Sequence, residues 1–176
     1  MTEATPHLRE RRADRLAREA HLNVLVAAMR FTDELEKICQ SEGISHQQYV
    51  ALFVLCLSDE RETGIPMGSI ADGLLNRAAD TTRLVDRMEK AGLVERLRDE
   101  KDRRVVLVRA TKEGAAAFDA VATKLRAYHR DQWSALSSKE LEQLHGLLYK
   151  ALWADVDDNG EVRVPTLLRA GTDRPA

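Results

Sequence analysis

Apolar positions recur at helical spacing along most of the chain and switch to strand spacing once. Over residues 9–40 they fall at Leu16, Ala20, Val24, Ala27 or Ala28, Phe31, Leu35 and Ile38. That is one face at a 3.6-residue period, and it predicts a long helix ending at Ser41-Glu42-Gly43. Ser45 with Gln48 three residues on forms a capping box. The helix it opens, roughly 46–58, is apolar nearly all round (Tyr49, Val50, Ala51, Leu52, Phe53, Val54, Leu55, Leu57), the pattern of a core helix. A polar loop over 59–64, a short strand at 65–67 and a short helix over 68–74 come after it.

The clearest amphipathic pattern comes next. Thr81, Leu84, Val85 and Met88 stand at i, i+3, i+4 and i+7, one buried helical face, and Asn76 is placed to cap the helix. The opposite face carries Thr82, Arg83, Asp86, Arg87 and Lys90. Read alone, this helix is equally an ordinary solvated one. The residues beyond it shift the reading. Gly92 stands where a C-cap glycine belongs, and two β-prone runs, 93–98 and 104–108, carry Val94, Val105, Val106 and Val108. They flank a polar turn over 99–104. Short helix, turn, helix and charged hairpin make a winged helix-turn-helix. The free helix face suits a major groove, where Arg bonds guanine edges and Thr meets a base or a thymine methyl. A basic hairpin tip suits the adjacent minor groove.

Beyond the hairpin, Thr111 caps a helix running to about residue 133. Ser137 and Glu140 form a second capping box, opening a helix to about 154 with Leu141, Leu144, Leu147 or Leu148, Leu152 and Trp153 on one stripe. These two helices and the first one have large apolar faces with too little domain left to cover them, so a self-complementary two-fold interface is the economical solution. The expected fold is mainly α with a small β-wing. The organisation expected is a flexible tail at 1–9, helical dimerisation segments at 10–44 and 112–154, a winged-helix domain at 45–111, and an Asp/Gly/Pro-rich tail, disordered or loosely docked, at 155–176.

Composition narrows the class. The length of 176 residues suits one domain, with or without tails. The net charge of −2 excludes a nonspecific polycation, yet residues 67–112 hold 11 Lys and Arg against 8 Asp and Glu, while the remainder holds 16 against 21. The winged region is therefore basic and the rest acidic, the sign expected for DNA binding. The longest apolar run, residues 49–57, is far short of the ~20 a membrane span needs. No signal peptide is visible, two cysteines make no disulfide framework, and a cytoplasmic protein is expected. No Ser/His/Asp set, phosphate loop or nucleotide fingerprint appears, so no enzyme and no cofactor are expected. The five histidines (His7, His21, His46, His129, His145) lack metal-site spacing.

These segments together resemble the multiple antibiotic resistance regulator (MarR) family of winged helix-turn-helix transcription factors over about residues 20–154. Ile70-Ala71-Asp72 stands where that family has Leu-Ala-Glu, and residues 82–90 match its TRLVDRLEK run. Residues 92–96 match GLVxR, Asp102-Arg103-Arg104 its DRR wing signature, and residues 111–114 its TxxG helix start. The resemblance implies a homodimer, its terminal helices interleaved, that binds double-stranded DNA at a pseudo-palindromic operator. It implies a repressor rather than an activator. It assigns Asp102 to orient Arg104, which would enter the minor groove. Arg98, Lys101 and Arg103 would meet phosphates, and Arg96 would either bond phosphate or brace the wing. Ala79, Thr82 and Arg83 would lie near base edges, with Arg87 near phosphate or a base. Arg77 departs from the family's usual polar residue and adds a phosphate contact while leaving the N-cap less defined. The resemblance also implies release by a small aromatic or phenolic effector in a pocket between dimer helices and reading head, with His21, Arg30, His46, Gln47 and Phe53 as lining candidates. Some relatives instead sense oxidants through a cysteine. Cys39, near a helix end and expected partly exposed, is the candidate, and Cys56 reads as an inert core thiol. The competing reading of the whole chain is a dimeric winged-helix scaffold without DNA binding, which would have no need of the wing arginines.

Overall fold

The computed structural model describes residues 12–73, 81–99, 102 and 104–153. The chain divides into two compact units, Met1–Lys37 and Ile38–Ala176. In the first, helix α1 (Arg12–Ser41) begins and runs through the unit's end, with Glu19 and Glu34 paired to Arg15 and Lys37 along its own surface. Several of its apolar residues are open to solvent, Leu16 at 51% and Met29 at 61% exposure among them.

The second unit starts with the last turn of α1. Gly43 at φ +76 closes a Schellman turn, donating to Gln40 O at 3.0 Å while Ile44 N donates to Cys39 O at 3.2 Å. Helix α2 (His46–Leu57) opens on the expected capping box: Ser45 Oγ accepts from Gln48 N, and Gln48 Oε1 accepts from Ser45 N at 2.8 Å. Tyr49, Val50, Ala51, Leu52, Val54 and Leu55 are buried, so α2 is the core helix its composition implies. It packs against α5 (Lys112–Gln132), the short helix α3 (Met67–Gly73) and the sheet. Tyr49 stacks on Phe118 of α5 at 5.6 Å, and Phe53 meets both rings edge-on. Burial pushes the Tyr49 phenol up to about 12.

The sheet has three antiparallel strands in the order β1-β3-β2: β1 (Ile65–Pro66), β2 (Val94–Arg98) and β3 (Val106–Ala110). β1 is one residue shorter than the sequence suggests, because Met67 already belongs to α3. β3 starts two residues later than expected, because Val105 N is spent on a turn bond to Asp102 O. Helix α6 (Ser138–Trp153) follows a capping box in which Glu140 accepts from Ser137 N at 2.9 Å. Its Leu147 and Leu152 are 67% and 60% exposed. The tails at 1–9 and 155–176 and the Asn76 cap lie outside the described residues.

One junction fixes the wing to the core. Thr111 caps α5 by accepting from Gly114 N at 3.0 Å, donates its hydroxyl to Gly92 O at 2.6 Å, and donates its backbone N–H to Leu93 O at 3.0 Å. We expect Thr111→Val, which keeps the shape and deletes both hydroxyl bonds, to cost about 1–2 kcal/mol by urea denaturation. A loss below ~0.3 kcal/mol would show that water replaces those bonds.

Candidate nucleic-acid interface

Helix α4 (Thr81–Lys90) sits with one face sealed. Thr81, Leu84, Val85 and Met88 are 8%, 3%, 1% and 0% exposed, the four positions the period marks. Burying these four positions fixes the helix's rotation about its axis, and so fixes which residues look outward. Those are Thr82, Arg83, Arg87, Glu89 and Lys90, all exposed, with Asp86 half-buried. At 100° per residue the outward face has two edges. Thr82, Asp86 and Glu89 share one, and Arg83, Arg87 and Lys90 share the other. Arg77 and Ala79 lie outside the described residues.

The helix ends in a second Schellman turn. Gly92 at φ +73 donates to Glu89 O at 3.0 Å, and Leu93 N donates to Met88 O at 2.9 Å. The chain thus turns straight into β2, whose register with β3 runs from Val94↔Ala110 to Arg98↔Val106. Arg98 is exposed at the far end.

The tip of the wing differs from expectation in one respect. Among the described residues the Asp102 carboxylate meets no guanidinium; it accepts the Arg104 backbone N–H at 2.9 Å. Its backbone O accepts from Val105 N at 2.9 Å, and its own N–H donates to Asp99 Oδ1 at 3.2 Å. A short acidic side chain two residues before an N–H is geometrically suited to that turn, and it outcompetes the longer reach to the side chain. Asp102 therefore orders the tip backbone from which the exposed Arg104 projects. Lys101 and Arg103 lie outside the described residues.

Arg96 turns back to α4 in this structure. Its two Nη atoms reach back from β2 to α4, meeting Glu89 Oε2 and Asp86 Oδ1, each at 2.5 Å. The bond to Asp86 first, and that to Glu89, raise its already high pKa. Arg109, not singled out from sequence, is a second tie. Its Nε and Nη2 donate to Glu95 Oε1 at 3.0 and 2.8 Å, and Nη1 donates to Glu62 O at 2.7 Å, linking wing to loop. The signal is present in the strands themselves: Glu95 and Arg109 are cross-strand partners of opposite charge.

The effector candidates fall in both units. His21 and Arg30 are exposed on α1; on α2, His46 and Phe53 are half-buried and Gln47 is exposed. A separate open cleft of about 600 Å³ lies between the α2 end, the wing root and α5, floored by Leu55 and Phe118 and rimmed by Arg61, Arg109, Lys112 and Asp119. The cysteine expectation is reversed. Cys39 is fully buried, packed under the α1 terminus, so an oxidant has no access to it. Cys56 is the half-exposed one and borders the cleft, but burial first, and then Asp119, push its thiol up to about 11, which keeps it protonated and unreactive near neutrality. Among the described residues no His, Cys, Asp and Glu group is placed to hold a metal, and no helix is long and apolar enough to cross a membrane.

Comparison with known proteins agrees with this geometry. Residues 44–106 match the MarR family model. The chain is 36% identical over 75 residues to an uncharacterised HTH-type transcriptional regulator, YsmB, of Bacillus subtilis, covering 43% of this chain and 51% of that one. It is 28% identical to the transcriptional repressor MprA of Escherichia coli over 66% of this chain and 65% of that one. The chain thus spans about half to two thirds of these curated relatives' length. The structure is similar in fold to a mutant MarR from E. coli complexed with operator DNA, at TM-score 0.67 and 23% identity, over 81% of this chain and 99% of that one.

Proposed function

We propose, from the premise that residues 44–106 are a MarR-family winged-helix domain, that this chain is a sequence-specific DNA-binding transcriptional regulator. One observation carries the reading. A ten-residue helix has one face sealed into the core and the other presenting Thr82, Arg83 and Arg87 beside a hairpin tied to it by an ion-pair bridge. A merely structural helix needs the sealed face but not that combination. The free face suits base-edge readout in a major groove, and Arg104 at the ordered tip suits a minor groove. Arg87, Lys90 and Arg98 suit phosphates.

The protein acts as a homodimer in this reading. The exposed leucines of α6, and separately the exposed apolar residues of α1, are surfaces that single soluble chains rarely leave uncovered. Two heads related by a two-fold axis read a pseudo-palindrome with half-sites about 10 bp apart. Repression by occupying a promoter, relieved by a small-molecule effector, is the regulatory mode proposed, supported by the naming of MprA as a repressor.

The test is a fluorescence-anisotropy titration against the gene's own upstream intergenic DNA, with scrambled DNA as control, at two salt concentrations. Tight, sequence-dependent, salt-sensitive binding by a dimer supports the reading. Equal binding to scrambled DNA, repeated with fragments selected genome-wide, would favour a scaffold instead. Within the bound complex we expect Arg104→Ala to weaken binding by about 1–3 kcal/mol per head; unchanged affinity would reject the minor-groove role.

A further inference from the structure

We propose that the cleft at the wing root binds a small amphoteric molecule, one with an apolar body, a carboxylate at one end and an ammonium at the other. The site is distinct from the effector pocket that the resemblance implies: none of His21, Arg30, His46, Gln47 and Phe53 borders it. It does not depend on DNA binding and is tested without it.

The cleft has the size and the floor of a small-molecule site. Its volume is about 600 Å³, within the range of such pockets. Leu55 of α2 and Phe118 of α5 floor it; they are 2% and 8% exposed, so the core fixes their positions. Glu95 of β2 and Arg109 of β3 form a wall and hold each other at 2.8 Å. All these elements belong to the second unit.

The charges on the rim point to the occupant. There are three cations, Arg61, Arg109 and Lys112, and three anions, Glu62, Glu95 and Asp119. Four of the six are paired among themselves: Arg109 with Glu95, and Arg61 with Glu62 at 3.5 Å. Two are left over. Among the described residues, neither the Lys112 ammonium nor the Asp119 carboxylate has a hydrogen bond or an ion pair. Nor can they satisfy each other. They stand seven residues apart on α5, two turns and about 10 Å of rise, whereas opposite charges on a helix meet at three or four. Two turns also return them to the same edge of the helix, with Ala115 and Phe118 between them along the axis. Leftover charges on a convex surface are ordinarily just solvated. These two flank an apolar trough. A ligand bearing only an acid would satisfy Lys112 and lay its apolar body against an unpaired carboxylate. One bearing only an amine would do the reverse. A molecule with both groups spans the pair while its middle covers the floor.

Cys56 marks the Asp119 end, since Asp119 lies close enough to help hold its thiol up. It supplies a reporter of place. The chain has two cysteines, of which Cys39 is fully buried and Cys56 is half-exposed at the cleft. Alkylation of Cys56 by iodoacetamide at mildly alkaline pH, mapped by peptide mass, therefore reads access to the site.

The experiment titrates the full chain calorimetrically with 4-(aminomethyl)hydrocinnamate, which carries both charges, with hydrocinnamate, which carries the acid alone, and with benzylamine, which carries the amine alone. The doubly charged probe is expected to bind roughly tenfold tighter than either analogue, the worth of one charge-assisted contact, and to shield Cys56 from alkylation at saturation. Asp119→Asn is expected to abolish the preference over hydrocinnamate, and Lys112→Met the preference over benzylamine. Both side chains are exposed, so both variants are expected to melt with wild type. Each alkylation rate is compared with that of the same protein without probe. Equal binding of a single-charge analogue, variants that keep the wild-type preferences, binding that leaves Cys56 as reactive as before, or no binding of the doubly charged probe each overturn the site.

Discussion

Gly114→Ala should unfold or strongly destabilise the second unit, by roughly 3 kcal/mol or more. Gly114 is in the first turn of α5, where alanine is ordinarily the better helix former. A Cβ built on it, however, would stand 1.9 Å from Leu93 O and 2.9 Å from Leu93 C. The obstruction is backbone, so no rotamer change relieves it. Leu93 cannot retreat, because the same carbonyl accepts the Thr111 N–H and the residue's own N–H closes the Schellman turn on Met88. Separating α5 from the turn would also stretch the Thr111 hydroxyl bond to Gly92 O. The control is Gly146→Ala in α6. Nothing lies within 4 Å of that position, which faces away from the Leu141–Leu144–Leu148 stripe, and a gain of about 0.5–1 kcal/mol is expected. Denaturant midpoints of the two variants should move in opposite directions. A Gly114→Ala protein as stable as wild type would mean that α5 and the wing root are not in contact in solution.

The physical origin of that junction also explains what is legible in the sequence. The TxxG helix start is visible as a motif, and its threonine as a cap, because capping is a local interaction between residues three apart. The glycine's reason is not visible: it lies in the approach of Leu93, some twenty positions away. The same division holds throughout. Ser45/Gln48 and Ser137/Glu140 can be read directly because both partners of each box are near neighbours. The sealed face of α4 is legible because periodicity reports burial directly. Helix α2 is legible from composition alone.

The failures lie where one side chain has two candidate partners. Asp102 could serve the guanidinium or the backbone N–H of Arg104, and the sequence does not state which ring closes. Arg96 could face a phosphate or turn back to α4, and only the fold brings Asp86 and Glu89 within reach. Cys39 departs from expectation because its side chain lies on the inner side of the helix end, near the buried Tyr49, while Gln40, Ser41 and Gly43 beside it are exposed. Burial at a helix end is a property of the tertiary neighbour, which no local pattern encodes.

Arg83→Ala is expected to have the largest effect on DNA recognition. Leu84 and Val85, which follow Arg83 directly, are 3% and 1% exposed, so the helix backbone at this position is fixed by the core. The side chain therefore starts from a fixed point, one condition for bidentate readout of guanine O6 and N7. Losing such a contact costs about 1–3 kcal/mol per head. In the proposed two-fold dimer the substitution occurs twice, and with half-sites about 10 bp apart the costs add to about 2–6 kcal/mol. That corresponds to a fall of roughly thirtyfold to twenty-thousandfold at 25 °C. The loss should be confined to the selected duplex and to one position in each half-site, with base substitutions there no longer discriminated. The salt slope separates this from a phosphate contact: deleting a phosphate-bonding cation reduces the slope by about 1 per contact and weakens all sequences alike. Competition binding against duplexes varied singly across the half-site gives both readouts. If Arg83→Ala weakens scrambled and selected DNA equally, Arg83 is a phosphate contact, and sequence reading passes to Thr82 and the residues preceding α4.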